Sequence, residues 1–183
     1  MIGPRLVGIV GGAASVAAVA AVAGIAAVRR RVGDPVPDVE RPADFATVEF
    51  DRGSIVAASD GVPLAVREVG PTTAPLTVVF VHGYCLRMEC WYFQRRDLAA
   101  RWGDDVRMVF YDQRGHGRSG DVAPEDCDIP RLGADLADVI RAVAPTGPVV
   151  LVGHSMGGMS VLAACRLFPD AVADRVVGVA LVS

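Results

Sequence analysis

Ser155 lies between two glycines in the segment Gly153-His154-Ser155-Met156-Gly157, which directly follows the apolar run 149–152. The run predicts a buried strand, and the residues after the serine begin a helical pattern. A strand that turns straight into a helix leaves no room for a side chain two residues before or two residues after the turn, and glycines stand at both places. Ser155 is therefore expected on a strained bend, with its hydroxyl clear of the sheet.

Two backbone amides are candidates for binding an oxyanion that forms beside Ser155. The Met156 N–H begins the predicted helix, and N–H groups at a helix N-terminus favour anions. The second candidate is the Tyr84 N–H, which follows the apolar run 77–81 and the pair His82-Gly83, where the glycine permits a sharp turn. A serine with two such donors predicts nucleophilic acyl chemistry.

The order of predicted elements favours an α/β fold. Strands are predicted at 46–50, 54–58, 64–69, 77–81, 107–111, 149–152 and 176–182. Helices are predicted at 91–102, at 129–143 with Asp128 as the N-cap, and at 156–168 with Pro169 as the stop. The first strands are expected to be antiparallel. The later alternation of strand and helix predicts a mostly parallel sheet with helices on both faces.

Three motifs together carry a resemblance to a known family. They are Val81-His82-Gly83, the run Asp112-Gln113-Arg114-Gly115-His116-Gly117-Arg118-Ser119, and the segment Gly153-His154-Ser155-Met156-Gly157-Gly158. Each follows a predicted strand, and their order resembles that of the α/β-hydrolase superfamily, in its serine esterase, lipase and peroxidase-like branch. The resemblance covers about residues 45–183.

The resemblance implies a role for each motif. Ser155 would be the nucleophile, and the amides of Met156 and Tyr84 would form the oxyanion hole. Residues 112–119 would form a structural turn near the rim of the site. The residues that support these motifs are His82, Gly83, Asp112, Arg114, Gly115, Gly117, Gly153, His154 and Gly157. The resemblance thus implies hydrolysis of carboxylic esters or related small acyl substrates. Branches that resemble haloalkane dehalogenases and epoxide hydrolases differ, because they use aspartate in place of the serine at the bend between strand and helix.

The chain departs from this family pattern in its histidines. In the superfamily the catalytic acid and then the histidine follow the nucleophile, but the three histidines here, His82, His116 and His154, all precede Ser155. Loss of the histidine from a serine triad costs on the order of a million-fold in turnover. We therefore expect the chain to be the N-terminal part of a longer enzyme, truncated after the sixth strand and nearly inert as it stands.

Two other interpretations stay open. One is a catalytically silent, hydrolase-like binding module that is anchored in a membrane and exposes the apolar strand 176–182 as an edge. The other is a separate polypeptide that supplies the missing strands and the histidine. A long, uncharged apolar edge strand is prone to pair with other chains.

The N-terminal residues are predicted to lie outside the globular domain. After the short segment 1–5, no charged residue occurs in 6–28, and a helix of that length reaches about 35 Å, enough to cross a hydrocarbon core of roughly 30 Å. Arginines follow this run, which favours a single-pass membrane anchor over a cleaved signal peptide and a cytoplasmic domain over an extracytoplasmic or secreted one. Residues 29–44, first basic and then proline-rich, are interpreted as a linker to the domain at 45–183.

Composition excludes two further classes of function. The net charge is -3 and the 18 arginines are scattered, which predicts no nucleic-acid surface. The four cysteines, Cys85, Cys90, Cys127 and Cys165, lack the spacing of metal ligands, so neither a metal nor a cofactor is predicted. The oligomeric state is left open.

Overall fold

The computed structural model describes residues 49–183. The predicted anchor at 6–28 and the linker at 29–44 lie outside these residues, as do positions 45–48. Among the helices of residues 49–183, none combines the length and the apolar character that a membrane span requires.

The described residues contain six strands and four helices. The strands are β1 Arg52–Ala57, β2 Pro63–Val69, β3 Leu76–Val81, β4 Val106–Tyr111, β5 Val149–His154 and β6 Val176–Val182. The helices are α1 Tyr92–Trp102, α2 Ile129–Val143, α3 Met156–Leu167 and the single turn α4 Pro169–Val172. Short 3₁₀ turns occupy Met88–Trp91, Gly103–Asp105 and Pro124–Asp126.

The strands form one sheet in the order β1-β2-β4-β3-β5-β6. β2 pairs antiparallel with both β1 and β4, whereas β3 pairs parallel with β4 and β5, and β5 pairs parallel with β6. Every residue of β3 is buried, as expected for an apolar strand in the middle of a parallel sheet. Because parallel strands end at the same edge, the loops after β3, β4 and β5 meet there, and these loops carry the three motifs.

Helices cover both faces of the sheet, which confirms the predicted architecture. On one face, Leu136 and Ile140 of α2 and Val161 of α3 belong to a buried cluster with β3, β4 and β5. On the other face, Leu98 and Trp102 of α1 pack on a second cluster. α2 begins as predicted, because the Asp128 carboxylate accepts from the Arg131 N–H at 2.7 Å.

Two of the predicted elements are wrong in detail. The strand predicted at 46–50 is absent at Glu49 and Phe50, and its other residues lie outside the described part of the chain. The Phe50 ring instead packs against Phe110, with 5.7 Å between ring centroids. Pro169 ends α3 near the predicted place, but it also begins α4, since proline fits the first turn of a helix.

The strand β6 has an exposed apolar edge, as predicted. Within residues 49–183 it pairs only with β5, and Val179 and Leu181 are 46% and 53% exposed. The backbone groups on its outer side are open to a further strand.

Candidate active site

The bend at Ser155 is a direct turn from strand to helix. β5 ends at His154 and α3 begins at Met156. Ser155 between them has φ +50° and ψ −117°. A non-glycine residue rarely adopts a positive φ, because its Cβ then crowds neighbouring backbone atoms at a cost of order 1–3 kcal/mol. The residue is exposed, so the backbone has the strained and open form that the sequence predicts.

The glycines on either side of this bend lie where no Cβ fits. A Cβ on Gly153 would lie 2.7 Å from the carbonyl oxygen of Gly157 across the turn. A Cβ on Gly157 would lie 2.6 Å from the carbonyl oxygen of His82 and closer still to that of Val81. These obstacles are backbone atoms, which cannot rotate away. The glycines therefore let the first turn of α3 contact the end of β3, and Ser155 comes to lie beside the loop that follows.

The loop after β3, residues 82–91 and here called the β3 loop, carries the second candidate amide. The Leu86 N–H donates to the Gly83 carbonyl at 3.3 Å, which closes a tight turn. Tyr84 in this turn is 71% exposed, and its N–H donates to no other group in the described part of the chain. The Met156 N–H, the first in α3, has no acceptor within its helix. Tyr84 and Met156 line the same cleft, of about 520 Å³.

The turn after β4, residues 112–119, packs behind the β3 loop. The buried Asp112 carboxylate accepts a hydrogen bond from the Met88 N–H at 2.7 Å. Gly115 and Gly117 both have left-handed backbones, with φ of +68° and +55°. A Cβ on Gly117 would overlap the Asp112 carboxylate. The glycine pattern of this motif thus lets the turn close around Asp112, which holds the far end of the β3 loop.

Arg114 joins this turn to two other elements. Its guanidinium donates two hydrogen bonds to Asp135 of α2, at 2.7 and 2.6 Å, and two to Asp60 of the β1–β2 turn, at 2.8 and 3.1 Å. The hydrogen bonds with Asp135 are the main cause that raises the pKa of Arg114. The same guanidinium lowers the pKa of the Asp60 carboxyl. Arg114 therefore stabilises the scaffold on which the β3 loop rests.

His82 is buried between the β3 loop and the 112–119 turn. Its Nδ1 donates to the Gly83 carbonyl at 2.8 Å, and its Nε2 accepts from the Gln113 N–H at 3.0 Å. These partners require the neutral ring with its proton on Nδ1, because a carbonyl only accepts and an N–H only donates. Burial lowers the pKa of His82 below its usual value of 6.5. His82 is thus held neutral and fully bonded within the backbone of the site.

His116 is bonded to backbone groups in a similar way. Its Nδ1 donates to the Arg114 carbonyl at 2.9 Å, and its Nε2 accepts from the Cys85 N–H at 3.3 Å. Cys85 has a left-handed backbone, with φ +55°. The ring therefore contacts the β3 loop one residue beyond Tyr84.

His154 points away from the cleft. Its ring packs edge to face against Trp91, with 6.4 Å between centroids, and a Cβ on Gly83 would lie 2.8 Å from its Nδ1. Within residues 49–183, no histidine hydrogen-bonds to the Ser155 hydroxyl. The described residues therefore place Tyr84 and Met156, which directly follows the serine, on one cleft, without a histidine hydrogen-bonded to the Ser155 hydroxyl.

Two buried polar side chains behind the site were not singled out from the sequence. The Gln113 amide donates from Nε2 to the His82 carbonyl at 2.6 Å, and the Ser160 hydroxyl donates to Gln113 Oε1 at 2.8 Å. Gln113 stands inside the 112–119 motif, which was the only signal for it. Ser160 belongs to no motif, and its pairing depends on the approach of α3 to the turn after β4.

Metal ligands are not clustered in the described part of the chain. No three His, Cys, Asp or Glu side chains of residues 49–183 are grouped so that they could hold a metal ion. The four cysteines are free thiols.

Comparisons with known proteins agree with this geometry. A family model described as "Alpha/beta hydrolase family" matches residues 78–183. Esterase PIR7B from Oryza sativa subsp. japonica is 36% identical over 99 residues, covering 54% of this chain and 36% of the relative. A non-heme chloroperoxidase from Streptomyces lividans is 34% identical over 128 residues, covering 70% of this chain and 43% of the relative.

A solved structure is also similar to this chain. The esterase RhEst1 from Rhodococcus sp. ECU1013 superposes with a TM-score of 0.61 at 28% identity, covering 70% of this chain and 44% of that chain. The chain thus spans 36% and 43% of the length of the two curated relatives described above. The matched region contains the turn after β4 and the Ser155 bend, and the chain belongs to the α/β-hydrolase family.

Proposed function

We propose that this protein is a serine hydrolase that acts on carboxylic esters or related small acyl substrates. The Ser155 oxygen attacks the acyl carbonyl, and the amides of Tyr84 and Met156 stabilise the oxyanion. The alcohol then leaves, and water releases the acid from Ser155. The relatives, which include an esterase and a chloroperoxidase, support this class of chemistry.

The observation that carries the proposal is the backbone of Ser155. Its φ of +50° is a conformation in which glycine would be more stable than serine. Strain of this kind persists at functional sites, where the surrounding structure imposes it. A serine that served only to fill space would gain nothing from this position.

The general base of this reaction is not one of the three histidines. His82 and His116 are bonded to backbone groups, and His154 packs against Trp91. We propose that the base and its acid partner are contributed by residues other than the 183 printed here. The partial coverage of the relatives supports this part of the proposal.

Phenylboronic acid tests the nucleophile and the oxyanion hole without a histidine. When Ser155 adds to boron, a B–Oγ bond forms, the hydroxyl proton passes to the buffer, and boron becomes a tetrahedral anion that imitates the oxyanion. With the full chain at neutral pH, where free phenylboronic acid is trigonal, we expect a protein-bound tetrahedral ¹¹B NMR signal. Ser155→Ala should abolish the signal, and Ser59→Ala, at another exposed serine, should keep it. A bound signal that survives Ser155→Ala would contradict the proposal.

A silent binding module is the second candidate, because no histidine of residues 49–183 hydrogen-bonds to the Ser155 hydroxyl and the β6 edge is exposed. A fluorophosphonate probe separates the two candidates, since it requires a serine that can act as a nucleophile. Labelling of Ser155, located by peptide mass spectrometry, would argue against the silent module. Failure of labelling both in this chain and in a longer chain that supplies the histidine, together with the absence of a boronate, would support it.

The anchor at 6–28 is a separate proposal about location. We propose that this apolar segment holds the domain at a membrane, with its cytoplasmic side favoured by the arginines that follow. Extraction of cell membranes at alkaline pH tests the anchor. The full chain should remain in the membrane pellet, and its release into the supernatant would contradict the proposal.

A further inference from the structure

Gln113 uses its backbone and both ends of its side chain to join the β3 loop to α3. It is fully buried. Its N–H donates to His82 Nε2 at 3.0 Å, its Nε2 donates to the His82 carbonyl at 2.6 Å, and its Oε1 accepts from the Ser160 hydroxyl at 2.8 Å. One residue of the turn after β4 is therefore bonded to both elements that carry the candidate oxyanion donors.

The chemistry of the partners determines the orientation of the Gln113 amide. The His82 carbonyl can only accept, so the NH₂ end of the amide must face it. The Ser160 hydroxyl then donates to the remaining oxygen at 2.8 Å, a shorter contact than its 3.1 Å approach to the Met156 carbonyl. A flipped amide would place two oxygens against each other at His82. The Gln113 amide, which bridges the His82 carbonyl and the Ser160 hydroxyl, therefore has a single orientation.

The two ends of this bridge lie close to the two amides along the chain. The His82 carbonyl is two residues before Tyr84 in the β3 loop. Ser160 is one helical turn after Met156 in α3, so the two residues lie one above the other on the same face of the helix. A shift of the Gln113 side chain would thus change the position of one amide relative to the other.

Backbone packing and side-chain hydrogen bonds both restrain this relative position. Gly157 lies against the carbonyls of Val81 and His82, which limits how closely α3 can approach β3. Such a contact resists compression, and the bend at Ser155 joins α3 directly to β5, which pairs parallel with β3. The directional hydrogen bonds of Gln113 to the His82 carbonyl and to the Ser160 hydroxyl add a restraint from the turn after β4.

We propose that Gln113 is a positioning residue that sets the relative placement of the Tyr84 and Met156 amides, through the His82 carbonyl and the Ser160 hydroxyl. This inference rests on the function proposed above. Gln113 contacts no reacting atom, and its effect is on the geometry of the oxyanion hole. A misplacement of about 1 Å in a site of this kind costs on the order of 100-fold.

The experiment measures phenylboronic acid binding to the full chain by ¹¹B NMR and by titration. Gln113→Leu keeps the approximate volume and removes both side-chain hydrogen bonds. Ser160→Ala removes only the bond at the α3 end. We expect Gln113→Leu to weaken boronate binding about 100-fold, Ser160→Ala to weaken it less, and the double variant to be no weaker than Gln113→Leu, because both substitutions break one bridge.

The control separates misplacement from loss of stability. Val139→Ala truncates a fully buried side chain of α2 away from the site, and it should lower the melting temperature without changing boronate affinity. The added readout is the shape of the bound boron signal. If Gln113 contributes only to stability, Gln113→Leu should leave the fraction of tetrahedral boron unchanged in the folded population. If Gln113 positions the two amides, Gln113→Leu should lower that fraction. If Gln113→Leu does not fold, Ser160→Ala, which deletes one hydroxyl, serves as the test.

The outcomes separate this inference from the proposed function. Wild-type binding that depends on Ser155 and is weakened by Gln113→Leu and Ser160→Ala, but not by Val139→Ala, supports the inference. Wild-type binding that both variants at the bridge retain overturns it and leaves the proposed function standing. Absence of a Ser155-dependent boronate in the wild-type chain overturns the proposed function and this inference with it.

Discussion

The guanidinium of Arg114 and the carboxylate of Asp135 are joined by two hydrogen bonds, at 2.7 and 2.6 Å, and each side chain is 1% exposed. This pair connects the turn after β4 to α2. The turn in turn holds the β3 loop through Asp112 and Gln113. Arg114 belongs to a motif near the candidate site, but it acts indirectly, by stabilising the scaffold on which the β3 loop rests.

Asp135→Asn should destabilise the fold strongly. The substitution keeps the shape but leaves the buried Arg114 charge with Asp60 as its remaining carboxylate partner. Removing one member of a buried ion pair costs about 3 kcal/mol or more. Urea denaturation gives the free energy of unfolding. Asp138→Asn, one helical turn further along α2 in a more exposed pair with Arg141, should change it by less than about 1 kcal/mol. Equal losses in the two variants would contradict this account of Arg114.

Gly157→Ala should lower the melting temperature, whereas Gly158→Ala, at the next position, should raise it. A Cβ at 157 meets the His82 carbonyl oxygen at 2.6 Å, whereas one at 158 meets its nearest neighbour, Leu181 Cδ2, at 3.5 Å. Overpacking against backbone costs about 1–3 kcal/mol, but alanine in an unobstructed helix position gains about 0.5–1 kcal/mol over glycine. Thermal melting of both variants checks the prediction. A destabilised Gly158→Ala with a neutral Gly157→Ala would show that the bend is not packed as described.

Replacement of Ser155 should reveal the strain at the bend. Both Ser155→Ala and Ser155→Gly remove the hydroxyl and should abolish capture of boronate. At φ +50° glycine avoids the steric cost that alanine retains, and after its greater loss of chain entropy is allowed for, the net gain is about 1 kcal/mol. The free energy of unfolding should therefore be higher for Ser155→Gly than for Ser155→Ala. The same value in both would mean that the backbone relaxes in solution.

Mild acid should destabilise the protein through His82. Burial lowers the pKa of this ring in the folded chain below its usual value of 6.5, so the unfolded chain binds a proton at a pH where the folded chain does not. Stability is then present above pH 6.5 and falls as the pH drops below it, by up to about 1.4 kcal/mol per pH unit. Protonation would also turn Nε2 into a donor that faces the Gln113 N–H.

Denaturant titrations between pH 7 and 5 measure this slope. Asp60 and Glu89 also have lowered pKa values, but for carboxyl groups the loss of stability comes below their usual values of 3.8 and 4.5, outside this window. His82→Gln should flatten the slope between pH 6.5 and 5, whatever its effect at neutral pH. An unchanged slope in this variant would assign the pH dependence to other groups.

Most of the fold was predictable because its signals are local. The apolar run of β3, the Asp128 cap of α2 and the glycines around Ser155 each reflect the backbone or burial of their own segment. The strand predicted at 46–50 was wrong at its end because Phe50 is apolar for a different reason, namely packing on Phe110. Alternation within a short segment does not separate these two cases.

The sequence by itself determined the strand–bend–helix at Ser155, the order of elements and the placement of His82, His116 and His154 before Ser155, since these follow from residue type and spacing. Only the tertiary structure decided that Gln113 and Ser160 meet behind the site, that His82 and His116 are occupied by backbone partners, and that Arg114 reaches Asp60 and Asp135. The physical reason is that hydrogen bonds between buried side chains depend on the relative placement of elements distant in the chain, which no local pattern records.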